Sequence, residues 1–235
     1  HGERQVCGHM QDARTRDSRF RAGIGMVVVP KAGSREPIQV AWEAPLKARW
    51  VPTVQLGAPS PVQQIDTVRL LIRTACIAIA LAVNCPNAEI TAIDLSEPAL
   101  AIARQNAEKH EVASRIQFLH GDLFAPLSGG EPFDLIASNP PYIASAEIET
   151  LAADVRLHEP RSALDGGPDG LDIIRRLIAA TPAHLHPGGK LLIEISPEQA
   201  ESVTQLLAAN GSYGDIAVLR DLSKQARVVR AVRKG

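Results

Sequence analysis

The chain has 235 residues, of which 45% are hydrophobic, 22% charged and only 3% aromatic. That size suits one α/β domain with a smaller appendage, and the shortage of rings argues against a base-stacking platform for single-stranded nucleic acid. The net charge of −1 divides unevenly: residues 1–75 hold 11 Lys/Arg against 6 Asp/Glu, while residues 76–235 hold 14 against 20, a poor footprint for nonspecific nucleic-acid binding.

Cys7, Cys76 and Cys85 lack metal-ligand spacing, and an odd number of cysteines fits a reducing compartment. No run approaches the length of a membrane span and no signal-peptide apolar region opens the chain, so a soluble, cytoplasmic protein is expected. The first residue is His1 rather than Met, as expected of a piece of a longer protein.

Residues 1–62 form an N-terminal segment with no sustained helical or strand period; Val27-Val28-Val29 reads as one short strand. From residue 66 strand and helix signals alternate, the mark of a parallel sheet covered on both faces. Val68–Ile72 reads as a strand and Cys76–Val83 as the helix after it. Glu89–Ile93 is the next strand, ending at Asp94, after which Ser96 caps a helix with Glu97 in its first turn and Leu100, Ile102 and Ala103 apolar. Ile116–Leu119 is a third strand, ending in Gly121-Asp122. Phe133–Ala137 is a fourth, running straight into Asn139-Pro140-Pro141-Tyr142. After an irregular stretch, Leu171–Leu185 has helical spacing, stopped by Pro187-Gly188-Gly189. Lys190–Ile195 is a strand and Pro197–Ala209 a helix ended by Asn210-Gly211. Ile216–Leu219 and Arg227–Val232 should pair antiparallel through their short connection. The expected fold is α/β: a Rossmann-like sheet of seven strands closed by a C-terminal antiparallel hairpin, resembling that of class I methyltransferases, with residues 63–235 as the domain.

Ligands of open parallel sheets bind beyond the carboxyl ends of the strands. Asp94, Asp122 and Asn139 all fall there. A lone Asp at a strand end is ordinarily a cap or turn residue; two in succession followed by Asn139 favour a site. Asp94 is placed to accept ribose hydroxyls, and Asp122 to accept from an adenine amino group. The two prolines have no N–H and a fixed φ, so their loop is stiff and presents carbonyl oxygens. The Asn139 side-chain oxygen and the Pro140 carbonyl can each accept one N–H of a planar amide or amino group, leaving its nitrogen aimed at an electrophilic methyl group. Tyr142 offers a flat face for stacking. His184 and His186 have no carboxylate spacing to complete a metal site and read as solvated helix-end residues; no metal is expected. Cys76 reads as core, and no nucleophile elbow or Walker loop occurs.

The stretch from Cys76 to Val232 resembles the bacterial peptide chain release factor N5-glutamine methyltransferases. Ile93-Asp94-Leu95-Ser96, Gly121-Asp122-Leu123-Phe124 and Ser138-Asn139-Pro140-Pro141-Tyr142-Ile143 carry the likeness. The discriminating run is His158-Glu159-Pro160-Arg161-Ser162-Ala163-Leu164-Asp165-Gly166-Gly167-Pro168-Asp169-Gly170-Leu171, because the tetrapeptide alone is shared with N6-adenine methyltransferases. The resemblance implies S-adenosylmethionine as cofactor, with Asp94 on the ribose, Asp122 and Leu123 flanking the adenine, and Asn139 touching cofactor and substrate. It implies Asn139 and Pro140 as the catalytic pair, with Pro141 and Tyr142 completing a glutamine pocket. A release factor is the implied partner, a membrane is not, and residues 1–62 become a diverged substrate-recognition region.

One departure stands out. The family places a glycine-rich turn after the first strand, which would fall at Leu71–Ala75, yet no glycine occurs from Ala58 to His120. Side chains there would intrude where backbone should meet the methionine part of the cofactor. Two alternatives stay open on the sequence: an adenine methyltransferase using the same tetrapeptide, and a remnant of the fold impaired in cofactor binding.

Overall fold

A computed structural model describes residues 25–30, 37–42, 53–55, 68–72, 75–127 and 129–235. Strands β1 (Gly25–Pro30), β2 (Pro37–Trp42) and β3 (Thr53–Gln55) pair antiparallel in that order. The Val27–Val29 run lies inside β1. Strands β2 and β3 fall in the stretch that shows no sustained strand period in the sequence.

Beyond these, β4 (Val68–Ile72), α1 (Ala75–Asn84), β5 (Ala88–Asp94), α2 (Glu97–Lys109), β6 (Ile116–His120) and β7 (Phe133–Ser138) alternate as expected. The short helices α3 (Ala153–His158) and α4 (Arg161–Leu164) occupy the stretch that had no clear pattern. They are followed by α5 (Asp172–Ala180), β8 (Leu185–Glu194), α6 (Ala200–Asn210), β9 (Tyr213–Arg220) and β10 (Ala226–Arg233). Strands β4 to β10 form one seven-stranded sheet in the order β6-β5-β4-β7-β8-β10-β9. Strands β4 to β8 run parallel, while β10 pairs antiparallel with both β8 and β9. The order reverses between β4 and β7, so a crevice is expected beyond the carboxyl ends of these two strands.

Successive residues of a strand point to opposite faces, and here both faces are buried. Leu135 and Ala137 of β7 and Leu192 of β8 join Ile77, Leu81 and Ala107 of α1 and α2 in one apolar cluster. Their neighbours Ile136, Leu191 and Ile193 join Ile174, Leu177, Val203 and Leu207 of α5 and α6 in the other. That is why the central strands read as unbroken apolar runs. Tyr213 of β9 is buried in the second cluster and donates its hydroxyl to the Ile178 carbonyl at 2.7 Å, tying α5 to the sheet edge.

The capping signals work as written. Ser96 Oγ accepts from Ala99 N at 3.3 Å, a contact worth about 1 kcal/mol to a helix. Gly211, at φ 79°, closes α6 in the left-handed conformation.

Four local expectations are corrected. Ile102 is 60% exposed, because α2 turns it away from the sheet. Helix α5 stops at Ala180 and a 3-10 turn over Thr181–Ala183 ends it, earlier than the helical period suggests, since Pro182 offers no N–H to continue the ladder. Pro187-Gly188-Gly189 is not a turn before β8 but a bulge inside it, where five steps of β8 from Leu185 to Lys190 oppose two steps of β7 from Phe133 to Leu135. His184 is not a solvated residue: its ring stacks on Phe124 with centroids 4.4 Å apart, and partial burial lowers its pKa.

Candidate active site

The strand-end residues gather along one edge of the sheet. Asp94 closes β5, and its Oδ1 accepts from Ser96 N at 2.8 Å, so the carboxylate that ends the strand also shapes the entry to α2. The Asp94 backbone carbonyl accepts from Gly121 N at 3.0 Å, which joins the ends of β5 and β6. His120 contacts the Leu95 carbonyl through Nε2 at 3.0 Å. Leu123 follows with φ 49°, an uncommon conformation for a non-glycine residue, and its side chain is buried in the second apolar cluster.

Asp122 has a partner that its position in the sequence does not suggest. Its Oδ2 accepts from Nη2 of Arg176, on α5, at 2.5 Å. Both side chains are about half exposed, so the pair contributes little to stability, below about 1 kcal/mol. One carboxylate oxygen of Asp122 is therefore committed to a guanidinium.

At the end of β7, Ser138 is buried and its Oγ has no hydrogen-bond partner among the described residues. Asn139 is exposed, Pro140 buried, and Pro141 and Tyr142 half-buried. The chain then docks onto the run that follows α4. Ile143 N donates to the Leu164 carbonyl at 3.0 Å, Gly166 N to the Ile143 carbonyl at 2.8 Å, and Ser145 N to the Gly167 carbonyl at 2.9 Å. Ser145 Oγ donates to Asp165 Oδ1 at 2.6 Å, and this bond, with the Gly167 N–H and then Arg161, holds the Asp165 carboxyl below the usual range.

Two glycines of that run lie directly behind the tetrapeptide. A β-carbon on Gly166 would stand 2.8 Å from the Pro141 carbonyl oxygen; one on Gly170, whose φ is 74°, would stand 2.3 Å from that of Tyr142. Only glycine permits this approach. The run that distinguishes the family in the sequence is thus the backing of the Asn-Pro-Pro-Tyr loop.

Sequence reasoning missed three contributors. Glu194 closes β8 and is buried; burial pushes its carboxyl up to about 7, against the pull of Arg227. Burial foremost, and then the Glu194 charge, raise the Tyr142 phenol, with Arg227 opposing, so these three side chains share one electrostatic environment. Arg227 is itself held by Asp221 at 3.4 Å. Gln199, at the entry to α6, donates to the Tyr142 carbonyl at 2.9 Å. The available signal for Glu194 was an acid ending the apolar run Leu191-Leu192-Ile193, the same pattern that marked Asp94. Gln199 closes a Ser-x-x-Gln capping box with Ser196, a local signal for a helix start that says nothing of its reach to Tyr142. Arg227 had no signal for its place beside Glu194 and Tyr142.

Of the glycine-free turn expected over Leu71–Ala75, Leu71 and Ile72 belong to β4 and Ala75 opens α1. Residues 73–74 and the side chain of Cys76 lie outside the described residues. Among the described residues, no group of His, Cys, Asp or Glu is arranged to hold a metal ion, and no helix is long and apolar enough to cross a membrane.

The strand order, with its antiparallel strand between two others at one edge, is that of the class I methyltransferases, and comparison with known proteins agrees. The fold matches the crystal structure of a methyltransferase from Pyrococcus furiosus with a TM-score of 0.51 at 17% identity, over 72% of this chain and 76% of that one. Residues 74–170 match the Methyltransferase small domain family. Release factor glutamine methyltransferase of Gloeobacter violaceus is 40% identical over 203 residues, 86% of this chain and 66% of the relative. Those of Geobacter sulfurreducens and Cereibacter sphaeroides are 44% and 47% identical over 158 residues, each 67% of this chain, and 54% and 56% of the relatives. The chain belongs to the release factor glutamine methyltransferase family, and spans between about half and two thirds of the length of these relatives. The Gloeobacter match is too long to fit within residues 63–235, so it extends into the N-terminal segment.

Proposed function

We propose that this chain transfers a methyl group from S-adenosylmethionine to the side-chain amide nitrogen, N5, of a glutamine in a peptide chain release factor. The observation that carries this reading is the Asn139–Tyr142 loop at the end of β7, beside the point where strand order reverses, backed by Gly166 and Gly170. The relatives' names supply the substrate class.

At the ends of β5 and β7 the residues present fit the cofactor. Asp94 gives one carboxylate oxygen to the backbone and keeps the other for a ribose, and the buried Ser138 hydroxyl beside Asn139 lacks a partner among the described residues. Asp94 would hold the ribose, Asp122 and Leu123 would flank the adenine, and Asn139 would touch both cofactor and substrate. When bound, S-adenosylmethionine supplies an electrophilic methyl group. The Asn139 side-chain oxygen and the Pro140 carbonyl accept the two N–H groups of the substrate amide, while Pro141 and Tyr142 complete its pocket. A neutral amide is a weak nucleophile, so rate comes from alignment and from fixed dipoles facing the charge that develops.

Residues 63–235 form the catalytic unit in this reading, and residues 1–62 meet the partner protein in the cytoplasm. Nucleic acid is disfavoured as a substrate because residues 76–235 carry a net −6. The absence of glycine from Ala58 to His120 favours a second reading, a fold that no longer binds cofactor.

Incubation with labelled S-adenosylmethionine and either release factor or DNA decides among them. Transfer to release factor, abolished by Asn139→Ala, is the expected result. Transfer to DNA would replace the substrate, and retained activity in Asn139→Ala would remove the role given to that residue. Calorimetric titration with S-adenosylmethionine tests the second reading: no binding by the folded protein would establish it.

A further inference from the structure

Pro140 and Pro141 have no N–H with which to anchor their own loop, so the loop has to be held through its carbonyls. Gln199 is built to do that for Tyr142. Its Nε2 donates to the Tyr142 carbonyl at 2.9 Å and to the Gly170 carbonyl at 3.2 Å, while its Oε1 accepts from Ser196 N at 3.2 Å. Both amide protons and one acceptor site of a half-buried side chain are thereby used, and the planar head is held at three points. Gly170 makes the meeting possible: a β-carbon there would stand 2.7 Å from Gln199 Nε2 as well as against the Tyr142 carbonyl. Three segments far apart in sequence, the Asn-Pro-Pro-Tyr loop, the Gly166–Gly170 turn and the entry to α6, therefore converge on one amide group.

We propose that Gln199 is a positioning residue for methyl transfer: it clamps the Asn139–Tyr142 loop to the Gly166–Gly170 turn and so fixes where the Asn139 and Pro140 oxygens hold the substrate amide. The proposal rests on the methyltransferase reading above. Gln199 acts through the Tyr142 and Gly170 carbonyls it binds, so its loss should lower the rate of transfer and leave cofactor affinity in place. A misplacement on the order of 1 Å at a reacting centre can cost about a hundredfold in rate.

Gln199→Glu isolates the donor function, because a carboxylate keeps the acceptor for Ser196 N but has no proton for the two carbonyls. Gln199→Ala removes the whole head group. Both variants are expected to lower kcat by about tenfold to a hundredfold, with the dissociation constant for S-adenosylmethionine changed less than about twofold. Acidification should restore part of the Gln199→Glu activity relative to wild type, as a protonated carboxyl regains a donor, and none of the Gln199→Ala activity. A role in folding alone would not produce that difference in pH profile.

Hydrogen exchange gives a readout independent of turnover. The Ile143 and Gly166 amides, which bond across the two loops, should exchange about tenfold faster or more in Gln199→Ala. They should be unchanged in Gln205→Ala, an exposed position on α6. Unchanged exchange in Gln199→Ala overturns the clamp. Faster exchange with unchanged kcat overturns its part in positioning. If the wild-type protein transfers no methyl group to release factor, the functional reading fails, and the exchange experiment still decides whether Gln199 holds the loop.

Discussion

Gly170 and Tyr142 are in backbone contact: a β-carbon on Gly170 would lie 2.3 Å from the Tyr142 carbonyl oxygen, and the Gly170 φ of 74° is one that side chains rarely adopt. Two independent demands for glycine thus coincide at one position. Gly170→Ala is expected to destabilise the protein by at least ~2 kcal/mol and to abolish methyl transfer, measured by denaturant unfolding and by the labelled-cofactor assay. Gly214→Ala, whose β-carbon would meet nothing nearer than 3.5 Å, is the control and should change stability by less than about 0.5 kcal/mol. Equal effects at the two positions would show that the contact with Tyr142 is not what requires glycine.

Glu194 makes stability depend on pH in a defined direction. Its folded-state pKa is raised from 4.5 to about 7 by burial, so between those values the folded protein binds more protons than the unfolded chain. Stability therefore falls as pH rises through that window, and the cost of the buried charge is fully present above it. Glu194→Gln should be more stable than wild type at pH 8, by on the order of 3 kcal/mol, with the difference nearly gone at pH 4.5. Thermal unfolding across this range measures it, and a pH-independent difference would mean that Glu194 does not titrate as described.

Asp94 carries two functions that substitution can separate. Asp94→Asn keeps an oxygen for Ser96 N and loses the charge facing the proposed ribose; Asp94→Ala loses both. Asn is expected to weaken S-adenosylmethionine binding by about tenfold with little change in stability. Ala should weaken it further and lower stability by about 1 kcal/mol. Calorimetry and unfolding together check the pair, and undiminished binding in both would remove Asp94 from the cofactor site.

Tyr213 separates fold from function. Burial raises its phenol pKa, and the hydroxyl is committed to the Ile178 carbonyl. Tyr213→Phe leaves that carbonyl unpaired in the core, which should cost about 1–3 kcal/mol while kcat per folded molecule stays within about twofold. A selective loss of kcat would tie this end of α5 to the site.

Local signals made much of the architecture legible. The alternation of apolar strands with capped helices predicts β4 to β8 and the closing antiparallel pair, because periodicity and turn chemistry act over a few residues. Where a local signal competes with pairing, it misleads: Pro187-Gly188-Gly189 looks like a terminator, but β8 continues through it because Leu185 and Lys190 both find partners on β7. Ser96 is a helix cap in the sequence and in the structure, whereas His184 looks like a helix end and is stacked on Phe124.

The sequence by itself determined which residues end the strands and that Asn139-Pro140-Pro141-Tyr142 is a stiff loop offering acceptors, since proline's missing N–H is a covalent fact. Only the tertiary structure decided what surrounds them. Arg176 reaches Asp122 across 54 positions and Gln199 reaches Tyr142 across 57. Sheet order brings Glu194 beside Tyr142, as β7 and β8 are neighbours in the sheet. The glycines at 166 and 170 read as a turn in one dimension, and their purpose, to let two carbonyls of another loop come close, exists only once that loop is folded against them. Steric fit between segments distant along the chain has no local signature, which is why this part of the site had to be seen.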